Sequence, residues 1–173
     1  GDRQYRALID KIYLKSAAGF AEKYTPTVAL WTERELGIHL GAAVDYFRLT
    51  SNENALMRAG SLVNQWTDMA GRGNGAPQVT YTQHEGGGPG GTTPMTLTNS
   101  PWMSAMYFQA ARRYWQITGD DNVLKQASDY FDWLDENAFY DGGLAHPQFA
   151  GITIPRYLTG PLIGEAGYSS EQM

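Results

Sequence analysis

Cysteine is absent from the 173-residue sequence, which excludes a disulfide framework, a thiolate zinc site and a thiol nucleophile. No apolar run approaches the ~20 residues of a membrane-spanning helix, so a membrane is not an expected partner. Basic residues are also few. Thirteen Lys and Arg against eighteen Asp and Glu leave a net charge of −5, and no Lys/Arg cluster is concentrated enough to hold phosphates, so nucleic acid is not expected either. No signal peptide is expected within these residues, and an initial Gly1 is compatible with a trimmed leader. The compartment stays open, with export favoured over the cytoplasm. The three histidines form no His-Glu-x-x-His pattern, the glycine run lacks a following Gly-Lys-Ser/Thr, and no Gly-x-Ser-x-Gly elbow occurs. Metal, nucleotide and serine-esterase chemistry therefore have no motif to rest on, and no cofactor is expected.

What is present is helical periodicity. Hydrophobic residues make up 42% of the chain and charged ones 18%, which describes a globular chain with a core to bury. The aromatic share is 13%, with five Trp and eleven Tyr. Five segments space their apolar residues for a helix. The first carries Tyr5, Leu8, Ile9, Ile12 and Phe20 and is broken at Tyr24-Thr25-Pro26. A second opens on Thr32-Glu33-Arg34-Glu35, a capping-box pattern, and runs through Leu36, Leu40, Ala43 and Phe47. A third places Leu56, Ala59, Val63 and Trp66 on one face. The fourth opens on Ser100-Pro101, a capping hydroxyl followed by proline at the first helical position. The fifth carries Val123, Leu124, Ala127, Tyr130, Phe131 and Leu134.

Only Thr50-Ser51-Asn52-Glu53 separates the second and third segments, and only Thr118-Gly119-Asp120-Asp121 separates the fourth and fifth. Turns this short make antiparallel hairpins. Gly119 is placed to take the left-handed conformation that ends a helix, with Asp120 and Asn52 as caps of the helices that follow. The hairpins are copies. An offset of 68 residues, which carries Thr50 onto Thr118, also carries Ala42, Ala43, Tyr46, Asn54, Leu56 and Ala59 onto identical residues without a gap. Repetition explains the shared cap and turn length better than general amphipathicity does. The expected architecture is one all-α domain over 1–173, with hairpins at about 32–70 and 100–138. Residues 71–99, with eight glycines, and 139–161 form long connections. Alternating helix directions put both connections at one end, opposite the short turns. Loops of this length inside a compact domain are usually functional.

The stretch from Ser100-Pro101-Trp102-Met103 through Tyr114-Trp115-Gln116-Ile117-Thr118-Gly119-Asp120-Asp121, with Leu124, Ala127 and Asp141-Gly142-Gly143, resembles the repeating hairpin of the six-hairpin (α/α)6-toroid superfamily. The resemblance covers about residues 32–145. It implies glycoside hydrolase, polysaccharide lyase or epimerase activity, with a cleft lined by the inter-hairpin loops and a polysaccharide or oligosaccharide as partner. Five helices cannot close a toroid of about twelve. The chain then reads as an incomplete arc, a fragment of a larger toroid, with self-association through its apolar hairpin ends expected.

The long connections hold residues that suit sugar chemistry. Glycoside hydrolysis needs two carboxyls across a cleft, and Glu85 with Asp141 are the well-placed pair. β-Elimination of a uronic acid needs a His- or Tyr-type base and an Arg that neutralises the substrate carboxylate, and His84, Tyr81, His146, Arg156 and Tyr157 supply that inventory. Trp31 and Trp102, at the starts of the second and fourth helices, are candidates for stacking on sugar rings. Each has a plainer explanation: Asp141 as a turn former, His84-Glu85 as a solvated loop tip, Arg156-Tyr157 as stem packing, and the tryptophans as core anchors. His39 matches Tyr107 in the repeat and reads as a buried structural histidine. The competing function is a non-catalytic helical-repeat module that binds a glycan or a protein partner through the same face.

Overall fold

The computed structural model describes residues 2–14, 32–72, 75–77, 79–80, 97–141 and 153–155. Its core is all-helical. In chain order, α1 spans Asp2–Ile12, α2 Thr32–Thr50, α3 Glu53–Arg72, α4 Pro101–Thr118 and α5 Asn122–Asn137. Two short antiparallel ladders accompany the helices: β1 (Val79–Thr80) with β2 (Leu97–Thr98), and β3 (Phe139–Asp141) with β4 (Thr153–Pro155). No helix of the described residues is long and apolar enough to cross a membrane.

The two helical turns repeat the same closing hydrogen bonds and differ in how the next helix is capped. Thr50 Oγ1 donates to the Tyr46 carbonyl at 2.6 Å, and Thr118 Oγ1 to the Tyr114 carbonyl at 3.0 Å. The same hydroxyls then accept the amides of Asn52 and Asp120 at 3.3 and 3.2 Å. Ser51 N–H reaches the Phe47 carbonyl and Gly119 N–H the Trp115 carbonyl, both at 2.7 Å. These are the bonds that satisfy the last carbonyls of a helix. Gly119 is left-handed, with φ 67°, as its sequence position predicts; Ser51 holds the equivalent place at φ 56° without glycine's freedom. Asn52 Oδ1 caps the Ala55 amide at 3.3 Å and Asp120 Oδ1 takes the Asn122 amide at 3.0 Å.

Across the hairpins, α2 and α4 run parallel in close contact. Gly37 lies against the backbone of Met106 and Tyr107, Gly41 against Ala110 and Arg113, and Asp45 takes Arg113 through both carboxylate oxygens at 2.8 and 2.7 Å. A Cβ added to Gly37 would stand 2.8 Å from the Tyr107 nitrogen. Only a residue without a side chain lets the two backbones meet there. Helix α3 runs antiparallel to α4, since Trp66 stacks on Tyr107 with ring centroids 3.9 Å apart while Gly60 sits beside the Tyr114 hydroxyl. Around this contact, Leu40, Val44, Leu62, Val63, Trp66 and Tyr107 are fully buried.

Helix α1 behaves differently. It docks through Asp10, which accepts the Tyr46 hydroxyl at 2.6 Å, and through Tyr13 just past its last residue, stacked on Tyr46 at 4.1 Å. Of its predicted stripe, Ile9 packs against the core while Tyr5, Leu8 and Ile12 remain exposed; Phe20 lies outside the described residues.

Candidate functional site

The end of the helical layer opposite the short turns is organised by one buried amide. Asn99 precedes α4 and is fully buried. Its Nδ2 donates to Glu33 Oε1 at 3.1 Å and to the Pro77 carbonyl at 2.8 Å. Its Oδ1 accepts the Tyr130 hydroxyl at 2.9 Å and the Ser104 hydroxyl at 3.4 Å. All four of the amide's bonding positions are therefore used, and α2, α4, α5 and the segment leading into β1 meet at one side chain. Glu33 Oε1 also accepts the Ser100 amide at 3.2 Å. A carboxylate from the first turn of α2 thus serves the N-terminus of α4, where unpaired amides and the helix dipole favour negative charge.

This corrects the cap expected at Ser100. Ser100 occupies the N-cap position with extended backbone, but its side chain makes no capping bond. The Glu33 carboxylate does that work from 67 residues away. The capping box expected at Thr32 and Glu35 is not tested at Thr32, whose side chain lies outside the description; Glu35 is buried. His39 is buried within α2, as its match to Tyr107 predicts.

Burial also sets the state of the tyrosines in this layer. Desolvation pushes the Tyr130 phenol far above its ordinary value, and the neighbouring Glu33 carboxylate adds to the rise. Tyr107, whose hydroxyl donates to Gln126 Oε1 at 2.7 Å, is raised still further by burial. Both stay neutral donors and neither serves as a base. Glu33, 1% exposed, is buried at the junction, where Asn99 and the Ser100 amide hold its Oε1.

The first long connection starts and finishes at this end, and the second starts there. Gly75, just past α3, packs against Asp129 and Trp133 of α5, and α5 itself runs through Ala138 into β3. Trp102, on the first turn of α4, is 37% exposed there. Asp141 closes β3 with its backbone paired to Thr153; its side chain lies outside the description. Trp31, Tyr81, His84, Glu85, His146, Arg156 and Tyr157 also lie outside the described residues. Of the predicted site, the described structure therefore locates Trp102 and the Asp141 backbone and leaves the other groups unplaced. Among the described residues no group of three or more His, Asp or Glu could hold a metal ion.

Sequence reasoning missed Asn99, Ser104 and the role of Glu33. Their partners lie too far along the chain for any local pattern to join them. The chain matches no protein-family model, no curated protein and no solved structure.

Proposed function

We propose that this chain is an arc of an (α/α) toroid belonging to a carbohydrate-active enzyme of the glycoside hydrolase or polysaccharide lyase type. The observation that carries the reading is the division of labour between the two ends of the helical layer. Two short turns close one end, while the starts of both long connections, an exposed tryptophan and a buried polar junction lie at the other. Ordering long connections costs backbone entropy of about 1–2 kcal/mol per residue, and a cleft that grips a ligand offsets such a cost. On this reading Glu85 and Asp141 act as the carboxyl pair of a hydrolase. Alternatively, His84, Tyr81 or His146 acts as base and Arg156 neutralises a uronate in a lyase. Trp31, Trp102 and Tyr157 form the sugar-stacking wall.

The test is turnover of a panel of neutral and uronate polysaccharides by the intact protein and by His84→Ala, Glu85→Gln and Asp141→Asn. Loss of a positioned acid or base should reduce the rate by roughly 10²–10⁴-fold. Activity surviving all three substitutions within a few-fold removes this site. Saturable glycan binding without turnover, abolished by Trp102→Ala, would instead assign the chain as a binding module; the exposure of Trp102 is the observation that favours it.

A further inference from the structure

A groove of about 800 Å³ lies between α4 and α5. Its α4 wall is a stripe of Ala105, Phe108, Gln109, Arg112 and Gln116, and its α5 wall includes Phe131 and Leu134. Shifted back by the 68-residue repeat, the stripe falls on Gly37, Leu40, Gly41, Val44 and Arg48 of α2. In α2 the first four of these positions lie in the surface that receives α4: Gly37 and Gly41 are the points of closest approach, and Leu40 and Val44 are fully buried. The receiving surface is therefore repeated on α4, where it stands open among the described residues. Phe131 is 62% exposed at its edge, an apolar cost that a docked partner would remove.

The charge of the groove narrows what fits. Arg48, Arg112 and Arg113 all line it, in a chain of net charge −5. Asp45 engages Arg113, and among the described residues Arg48 and Arg112 have no ion-pair partner. A second copy docked face to face would set these arginines against their own counterparts. A copy docked head to tail would present the flank of α2 equivalent to Met106, Tyr107, Ala110 and Arg113 of α4, namely Ile38, His39, Ala42 and Asp45, where His39 is already buried and Asp45 already holds Arg113 of its own chain.

We propose that the α4–α5 face is a docking surface for an acidic amphipathic helix lying parallel to α4, as α4 lies on α2. Its apolar stripe covers Phe108, Phe131 and Leu134, and its carboxylates, toward the C-terminal half, meet Arg112 and Arg48. Ala105 and Gln109 replace the two glycines of α2, so the incoming helix sits farther out than α4 does from α2, which leaves the groove its width. The inference rests on the repeat and the arginines, and stands or falls separately from the carbohydrate chemistry.

The probe is a labelled, end-capped peptide of the α4 sequence Pro101–Thr118 carrying R112E and R113E, titrated against the intact chain by fluorescence anisotropy. Saturable binding is expected, weakening with added salt and by about tenfold or more when the intact chain carries R48E or R112E. The peptide with its native arginines should bind the wild-type chain poorly and recover on the R112E chain. Absence of saturable binding overturns the proposal, as does affinity indifferent to both arginine reversals. Sedimentation showing that the chain pairs with itself through this face, lost on F131E, assigns the surface to a second copy and overturns it equally.

Discussion

At the short-turn end, the hydrogen bonds that close each turn join residues two to four apart. At the long-connection end, Asn99 reaches residues 22, 31 and 66 positions away. The first arrangement is encoded locally and therefore twice, once in each hairpin. The second exists only after the helices have assembled, and it occurs once. A turn can be built wherever its few residues recur, so the repeat preserves it; a buried polar junction depends on every element that meets there. The difference predicts that substitutions at the two ends differ in size, and that those in the shared interface fall between them.

The largest effect is expected at Asn99. Asn99→Ala removes the donor to Glu33 and the acceptor of the Tyr130 hydroxyl, and it leaves a carboxylate and a phenol buried with bonds missing. Removing one partner from a buried charged network costs about 3–5 kcal/mol. For a chain of this length that corresponds to a drop in Tm of roughly 6–20 °C. Thermal denaturation followed by circular dichroism measures it. A loss below about 1 kcal/mol would mean that the junction is not the organiser of this end.

Gly37→Ala should come next. The new Cβ would meet backbone atoms of Met106 and Tyr107 at 2.8–3.0 Å, and backbone cannot rotate aside as a side chain can. Overpacking of this kind costs about 1–3 kcal/mol. Gly71, also helical, has nothing within 4 Å of its added Cβ. There the same substitution should stabilise by up to about 1 kcal/mol through helix propensity. Opposite signs at two helical glycines would isolate the α2–α4 approach as the cause; equal signs would deny it.

How much of this was legible follows from the same contrast. The hairpins, the cap at Asn52 and the left-handed Gly119 could be read because each signal lies within a few residues; at the second turn the N-cap position falls to Asp121, without a side-chain cap, and Asp120 accepts the Asn122 amide beside it. The boundaries of the four hairpin helices followed from breakers and from the apolar period, whereas α1 is described only to Ile12 and the break expected at Tyr24 lies outside the described residues. The junction at Asn99 could not be read, because nothing in Thr98-Asn99-Ser100 announces a partner at Glu33. The ladders β1–β2 and β3–β4 escaped too, being two or three residues long, too short for alternation to show. Gly37 and Gly41 carry no local signal in the sequence, and only the neighbouring helix gives them a reason. The groups expected to carry chemistry sit on the connections, where sequence supplies an inventory of residue types without the geometry that would rank them.

The smallest effect tests the repeat itself. Ser51 and Gly119 occupy the same place in the two turns, with φ of 56° and 67° and the same 2.7 Å bond back to the helix. A side chain in the left-handed region costs roughly 1–2 kcal/mol, and glycine returns part of that benefit as greater freedom in the unfolded chain, about 0.5–1 kcal/mol. Ser51→Gly should therefore stabilise by about 0.5–1 kcal/mol and Gly119→Ala should destabilise by a similar amount, each moving Tm by roughly 1–4 °C in opposite directions. Space is not the issue at Gly119, since nothing lies within 4 Å of an added Cβ; the strain is in the backbone alone. If the turns are energetically equivalent, the double variant Ser51→Gly, Gly119→Ala should return close to the wild-type Tm, because the hydrogen bonds that close each turn share no partner with the other. A double variant that differs from wild type by more than the sum of the single shifts would show that the two turns, alike in their hydrogen bonds, are not alike in what surrounds them.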